Sequence, residues 1–495
     1  MIDKYNWITV YPDLLLLLMA CVIAMIDLGV KSPRRTGTYV LTLLTLAVVA
    51  FMEALYAIGD NTLYGFGNMV VSDPMGNWLK CFSTLAMMVC LVYGRPYAAD
   101  RDMLRGGEMF TLSMFALLGI FVMVSGNNFL VLYLGLELLT LCSYALVALR
   151  RDHEQSTEAA MKYFVLGAMA SGFLLYGLSM IYGATGSLEI GTVLKLISSG
   201  QIKHEVLVFG TVFVVCGLAF KLGAVPFHMW IPDVYQGAPT AVTIIVGAAP
   251  ELAAFGITIR LLVEGMGPLA LDWQPMLIVL AVGSLLVGNL AAIAQSNLKR
   301  MLAFSTIAQM GFVVLGLAAG IANGNSNNAQ YAYSSAMFYV VTYVLTTLAS
   351  FGIILLLARE GFESEEIADL AGLNQRSPLY AGVMAVCLFS LAGVPPLVGF
   401  YGKLAVLQAL VGTGEVGYIW LAVFAVIMSL IGSFYYLRVV KVMYFDAPIT
   451  ATTVSAPADV RAVLTLNGAL VLILGILPGG LMTLCGSAIQ KMLTT

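Results

Sequence analysis

Lys221 ends a run of fifteen residues, 206–220, that carries no charge, and Pro226 and Pro232 follow it in FVVCGLAFKLGAVPFHMWIPDVYQGAPT (213–240). A lysine at the centre of a bilayer helix costs roughly 2.5–3.5 kcal/mol to insert. Desolvation disfavours the charged form of any lysine, and a nearby carboxylate restores it. Such a group switches between protonated and neutral as an acid approaches or withdraws, which is the chemistry of a proton relay. Helix-breaking residues beside it expose backbone polar groups that hold water, and water lets the proton exchange. Lys403 repeats the arrangement in SLAGVPPLVGFYGK (390–403).

Few carboxylates can partner these lysines. Glu137 lies inside NNFLVLYLGLELLTLCSYALVAL and Glu251 inside IIVGAAPELAAFGITIRLL; Glu108 opens an apolar run, and Asp27 and Glu53 lie near the ends of others. His228 follows the break after Lys221. Plainer readings stand beside these: a fixed ion pair for Lys221 and Glu137, a snorkelling stem for Lys403, and a helix-end histidine at 228. For Glu108, Asp27 and Glu53 the plainer reading is an interfacial position. The Tyr- and Phe-rich run at 330–358 reads as packing and not as chemistry.

Composition defines the elements that must position these groups. Of 495 residues, 60% are hydrophobic and 10% charged, with mean hydropathy +0.93. Soluble domains carry about 25% charged residues, so a soluble enzyme is excluded. Apolar runs of roughly 20 residues suit spanning helices, and the short alternating segments of a membrane barrel are missing. The expectation is an all-α polytopic membrane protein of about fourteen spans. They lie near 7–29, 37–59, 73–93, 108–125, 128–149, 158–183, 206–225, 240–263, 272–294, 301–322, 330–358, 378–410, 416–445 and 460–484. Residues 187–204 are expected along the surface, and the N-terminus reads as a retained first helix. Seven cysteines without a C-x-x-C spacing suggest neither a zinc nor an iron–sulfur site.

Fifteen Lys and Arg follow odd-numbered spans, whereas three, Lys195, Lys203 and Arg260, follow even-numbered ones. That bias puts both termini on the outer side. Lys80 and Lys162, within spans, are expected to reach an interface by extending their stems.

The two lysine segments also mark a repeat. Pro226 and Pro395 are 169 residues apart, and Asn127 and Asn297 are 170 apart. A duplicated unit of about five spans would be inverted, as in transporters that build ion pathways from broken helices. The expected division is a three-helix segment (1–107), a first repeat (108–263), a second (264–445) and a C-terminal transmembrane helix (446–495), with the seventh and twelfth spans broken.

AFKLGAVPFHMWIPDVYQGAPTAVT (219–243), SNLKRMLAFSTIAQMGF (296–312) and FSLAGVPPLVGFYGK (389–403) together resemble the antiporter-like subunits of respiratory complex I. Nearly the whole chain fits. The resemblance implies that Glu137 pairs with Lys221, that Lys403 is the exit-side residue, and that Glu108 is a second acid. It places His228 in the broken seventh helix and Lys299 at the start of the tenth span. Two departures matter: the family's usual eighth-span lysine is Glu251, in APELAAF, and its tenth-span histidine is Gln309, in STIAQMG. A glutamate carries a proton with the opposite charge sense, neutral when loaded. Gln309 cannot titrate, though it can hydrogen-bond water. The favoured reading is a relay rewired through Glu251.

The implied function is that of a proton-translocating membrane-arm subunit of NADH–quinone oxidoreductase in a bacterial inner membrane. Its relay would run through Glu137, Lys221, Glu251 and Lys403. NADH, FMN, iron–sulfur clusters and quinone would belong to partner subunits, and neighbouring antiporter-like and small membrane subunits would flank it. One rival is a subunit of a multisubunit cation/proton antiporter, which shares the fold. Another is a purely structural subunit, for which Glu251 and Gln309 speak.

Overall fold

The computed structural model describes residues 4–358, 362–448, 454 and 456–494. The N-terminal part comprises α1 (Lys4–Ile8), α2 (Tyr11–Asp27), α3 (Thr36–Ile58), a small hairpin of β1 (Leu63–Gly65) and β2 (Val70–Ser72), and α4 (Pro74–Ala99). There follow α5 (Glu108–Ser125), α6 (Phe129–Val147), α7 (Glu154–Thr185), α8 (Ile190–Ser198), α9 (His204–Lys221), α10 (Trp230–Gly237), α11 (Thr240–Val246) and α12 (Ala249–Thr258). The second half holds α13 (Ala270–Ile293), α14 (Leu298–Ala318), α15 (Ala329–Leu357), α16 (Leu373–Arg376), α17 (Pro378–Ala392), α18 (Val398–Gly412) and α19 (Val416–Phe445). The chain closes with α20 (Ala458–Ile476) and α21 (Gly479–Thr494).

Among the described residues, twelve helical stretches are long and apolar enough to cross a membrane. The 17-residue α2 and the shorter apolar pair α17 and α18 occupy the other two expected spans. α14 is buried over nearly its whole length, Arg300 and Phe304 excepted, whereas α3, α19 and α20 show wide apolar faces to the surroundings. The buried helices must therefore position any internal chemistry. α8 lies where a surface segment is expected, with Ile190, Val193 and Ile197 turned inward at helical spacing.

Landmarks recur between the halves. Asn128 caps α6 by accepting from the Leu130 N–H, and Asn297 caps α14 by accepting from the Arg300 N–H. Asn128 bridges to Glu189, and Asn297 to Glu366. The capping pair is thus Asn128 and Asn297, not Asn127, which brings the offset to the 169 residues that separate Pro226 from Pro395. α9 gives way at Gly223 (φ +61) and α17 at Gly393 (φ +86), left-handed positions that glycine adopts without a Cβ penalty. Cis peptides, Val225–Pro226 and Pro395–Pro396, follow in both breaks.

Four expectations need correction. The eighth span is not continuous: it stops at Gly247–Ala248 and restarts at α12, because Pro250 lacks the N–H an unbroken helix would need. Beyond α12 comes a turn of π-helix, Ile259–Gly265, which buries Arg260. Arg260 is therefore no loop residue: it donates to Asp73 (2.5 Å), Glu264 (2.7 Å) and the Val124 carbonyl (3.1 Å). The last expected span ends early, and α21 folds back against α15 and α4. Lys80 does not snorkel; it is 1% exposed and ion-paired inside the protein. Arg359, counted among the charged loops, lies outside the described residues.

Candidate proton axis

The three breaks leave backbone carbonyls without helical partners, and side chains meet them. At the first, Trp230 donates its indole N–H to the Phe220 carbonyl (3.0 Å), and the Val225 N–H donates to Ser284 Oγ (2.9 Å). At the second, α12 restarts with Glu251 in its first turn. Unpaired N–H groups at a helix start carry partial positive charge and favour a carboxylate there. At the third, Lys403 fills the break with its ammonium. It donates to the Leu391 (2.8 Å) and Ala392 (3.2 Å) carbonyls and to Ser429 Oγ (2.8 Å).

Polar groups connect these breaks. Glu137 is the carboxylate whose charge acts on Lys221, although the two make no direct ion pair. One carboxylate oxygen of Glu137 has no hydrogen-bond partner. Tyr144, two turns along the same face of α6 from Glu137 and within reach of its charge, meets Tyr163 edge-on with ring centroids 4.8 Å apart. Glu251, 2% exposed, acts in turn on Tyr163, Tyr235 and Tyr343, and its Oε2 has no partner. The Tyr343 hydroxyl donates to Thr306 Oγ1 (2.7 Å). One turn on, Gln309 accepts from the Tyr339 hydroxyl and donates to the Tyr436 hydroxyl (2.9 Å) and the Leu391 carbonyl (3.0 Å). Lys403 shares that same carbonyl. Gln309, which cannot titrate, therefore joins the tyrosines to the last lysine.

Other predicted residues lie apart. Glu108 is exposed at the start of α5, on the rim of a surface cavity lined by Arg101, Arg105, Arg150, His153 and Glu363. His228 is half-buried within the first break, and its Nδ1 has no partner. Lys299 is fully enclosed at the start of α14 and donates to the Ala238 carbonyl (2.9 Å) and Glu365 Oε1 (2.8 Å). It ties the turn before α11 to the segment that follows α15. On this arginine-rich face Glu363 receives Arg101 (2.9 Å), Arg150 (3.2 Å) and the Tyr97 hydroxyl (2.7 Å). Burial alone would raise the Glu363 carboxyl; hydrogen bonds from Arg101 and Tyr97 and the charges of Arg101 and Lys299 outweigh it and hold the group below its ordinary value. Burial and the Arg150 charge hold His153 below the usual histidine value.

Sequence reasoning passes over three parts of this arrangement. Tyr339 and Tyr343, in the span that reads as packing, carry hydroxyls into the axis. Gln309 reads in the sequence as a residue that cannot titrate but can hydrogen-bond water, and its tie to Lys403 through the Leu391 carbonyl goes unread. Glu53, which reads as interfacial, is fully buried beside Lys80. Hydroxyls recurring on one face of the eleventh span, Tyr339, Thr342, Tyr343 and Thr346, are the available signal.

These features define a class: polytopic membrane subunits in which broken helices surround buried ionisable side chains joined by hydroxyls. Residues 126–432 match the family described as NADH:quinone oxidoreductase/Mrp antiporter, transmembrane. The chain is 73% identical over 497 residues to the NADH-quinone oxidoreductase subunit N of Polaromonas naphthalenivorans, covering 100% of this chain and 99% of that one. Among solved structures, a chain of respiratory complex I from Thermus thermophilus aligns at 30% identity with a TM-score of 0.79, covering 95% of this chain and 98% of that one. A chain of the Mrp complex from Dietzia sp. aligns over 99% of this chain and 97% of its own, with TM-score 0.85 but 18% identity, a likeness of fold alone. The chain belongs to the antiporter-like subunits of respiratory complex I, in the NADH-quinone oxidoreductase subunit N family.

Proposed function

We propose that this chain moves protons as a membrane-arm subunit of NADH–quinone oxidoreductase, along an axis running Glu137, Lys221, Glu251, Tyr343, Thr306, Gln309, Lys403. The observation that carries the reading is two buried hydrogen-bonded groups one turn apart on α14: Tyr343 with Thr306, near Glu251, and Gln309 with the Leu391 carbonyl that Lys403 shares. The lysines load and release protons, and Glu251 takes up a proton as a neutral acid. The hydroxyls and Gln309 hold the water or hydrogen bonds between them. Electron transfer belongs to partner subunits that hold FMN, iron–sulfur clusters, NADH and quinone. The excess of Lys and Arg on one face supports an orientation in a bacterial inner membrane with both termini outside.

The test is proton pumping per NADH oxidised in membrane vesicles carrying Lys221→Ala, with assembly checked on a native gel. The expected result is an assembled complex in which oxidation and pumping collapse together, because the relay is tied to turnover. An intact complex with unchanged oxidation and pumping per NADH would make the lysine structural and remove the relay.

A further inference from the structure

The N-terminal helices hold buried charges that the axis does not use. Lys80 projects from α4, 1% exposed, and donates to both carboxylate oxygens of Asp13 on α2 at 3.0 and 3.2 Å. Its ammonium also lies 5.1 Å from the centroid of the Phe121 ring on α5. Glu53 on α3, equally buried, stands 3.6 Å from the same ammonium, and neither of its carboxylate oxygens meets a hydrogen-bond donor. One ammonium therefore faces two carboxylates and has committed its hydrogen bonds to one of them.

The surrounding groups offer Glu53 no second cation. From α4 the Cys81 thiol faces it and donates to the Ala50 carbonyl (3.5 Å); from α3 itself comes Tyr56, with Tyr11 of α2 beyond. Asp73, the cap of α4, also acts on Lys80 and adds negative charge. α5 contributes the Phe121 ring. An ionised carboxylate with no donor, in apolar surroundings and beside another carboxylate, is strongly disfavoured against its protonated form.

We propose that Glu53 holds a proton in this arrangement, and that Lys80, Asp13 and Glu53 form a proton-binding site separate from the axis and open to the outer side. Asp13 opens α2 on the face that carries the hairpin, with its side chain 11% exposed against 1% for Lys80 and Glu53, and so offers the triad's outlet. On release, the Glu53 O–H bond breaks and the proton passes to outer water by way of Asp13. The electron pair stays on the Glu53 carboxylate. The ammonium of Lys80 then moves from Asp13 to lie between both carboxylates, and the triad goes from neutral to a single negative charge. The side named here rests on the orientation proposed above.

The test is infrared difference spectroscopy of the intact complex in sealed vesicles, in H2O and D2O, with pH stepped on one side at a time. The expected signal is a protonated-carboxyl C=O band that shifts in D2O, follows the outer pH, and is lost in Glu53→Gln. Asp13→Asn gives a second reading, because Lys80 then has only Glu53 to pair with; Glu53 ionises and the same band disappears. A band unchanged in either assembled variant overturns the proposal. A tag on the C-terminus reports orientation independently, so a band that follows the inner pH while the tag lies outside overturns the access route alone.

Discussion

Glu251 is placed where two effects oppose each other. It is buried among tyrosine rings, which penalises charge, yet it sits in the first turn of α12, where the helix end favours a carboxylate by about 0.3–1 kcal/mol. Movements of its neighbours alter that opposition and with it the tendency of Glu251 to gain or lose a proton. Glu251→Gln preserves the shape and removes the proton, so proton pumping should fall by about tenfold or more, the scale on which positioned acids and bases act. Pumping per NADH at the wild-type level in an assembled Glu251→Gln complex would take this residue out of the path. Gln309 makes a different demand. Gln309→Leu strips one of two donors from the Leu391 carbonyl, leaves the Tyr339 hydroxyl without its acceptor and leaves Tyr436 with Ser305 alone, whereas Gln309→His retains one donor and one acceptor. Pumping should be impaired in the leucine variant and largely kept in the histidine variant; equal loss in both would mean that the site needs the amide's shape, not its hydrogen bonds.

The breaks set the positions of these side chains, and their glycines are the sensitive points. Gly393 adopts φ +86, and a Cβ there would approach the Lys403 side chain to 3.0 Å. Gly393→Ala adds a left-handed backbone cost of roughly 1–2 kcal/mol and pushes on the lysine that fills the break. The expected outcome is a complex that still assembles but pumps poorly, with the optimum pH of pumping displaced. An unchanged pH profile would show that Lys403 is indifferent to the geometry of α17 and α18. The breaks beside Lys221 and Lys403 were legible in the sequence, since a glycine closely followed by proline interrupts a helix wherever it falls in an apolar run. The break before Glu251 carries the same cue, with Gly247 three residues before Pro250 as Gly223 stands before Pro226, but Pro250 also suits the first turn of a helix, and the run reads equally well as one apolar span. The Lys80 triad was illegible for another reason. Asp13 lies 67 residues away along the chain, and only the packing of α2, α3 and α4 brings the three groups together.

At the scale of the whole molecule, the arginine-rich face and the flank that carries the first break make separate predictions. Glu363 joins Arg101, after α4, to Arg150, after α6, and so ties the N-terminal helices and the first half to the segment behind α15. Its carboxyl is held below its ordinary 4.5, so this contribution to stability is present above that value and is lost as pH falls through the lower folded value. Wild type should outlast Glu363→Gln on native gels at neutral pH, and the gap should close in acid below pH 4.5; a gap that is constant with pH would mean that the carboxylate charge is not what holds the clamp. The flank behaves otherwise. Lys221 and Glu137 are only half-buried within this chain, Pro226 is exposed, and Met229 is 64% exposed beside them. Lipid beside the partly exposed Lys221 and Glu137 side chains would bear on the roughly 2.5–3.5 kcal/mol cost of an intramembrane charge. A neighbouring protein surface with polar groups of its own avoids that cost, and this chain is a complex I membrane subunit. Met229→Cys in the intact complex should therefore cross-link to an adjacent membrane subunit, whereas Leu430→Cys, 73% exposed on the apolar outer face of α19, should label with lipid-soluble maleimide. If cysteine 229 labels from lipid and forms no cross-link, the flank faces the bilayer, and the charge of Lys221 must be balanced within this chain by Glu137 alone.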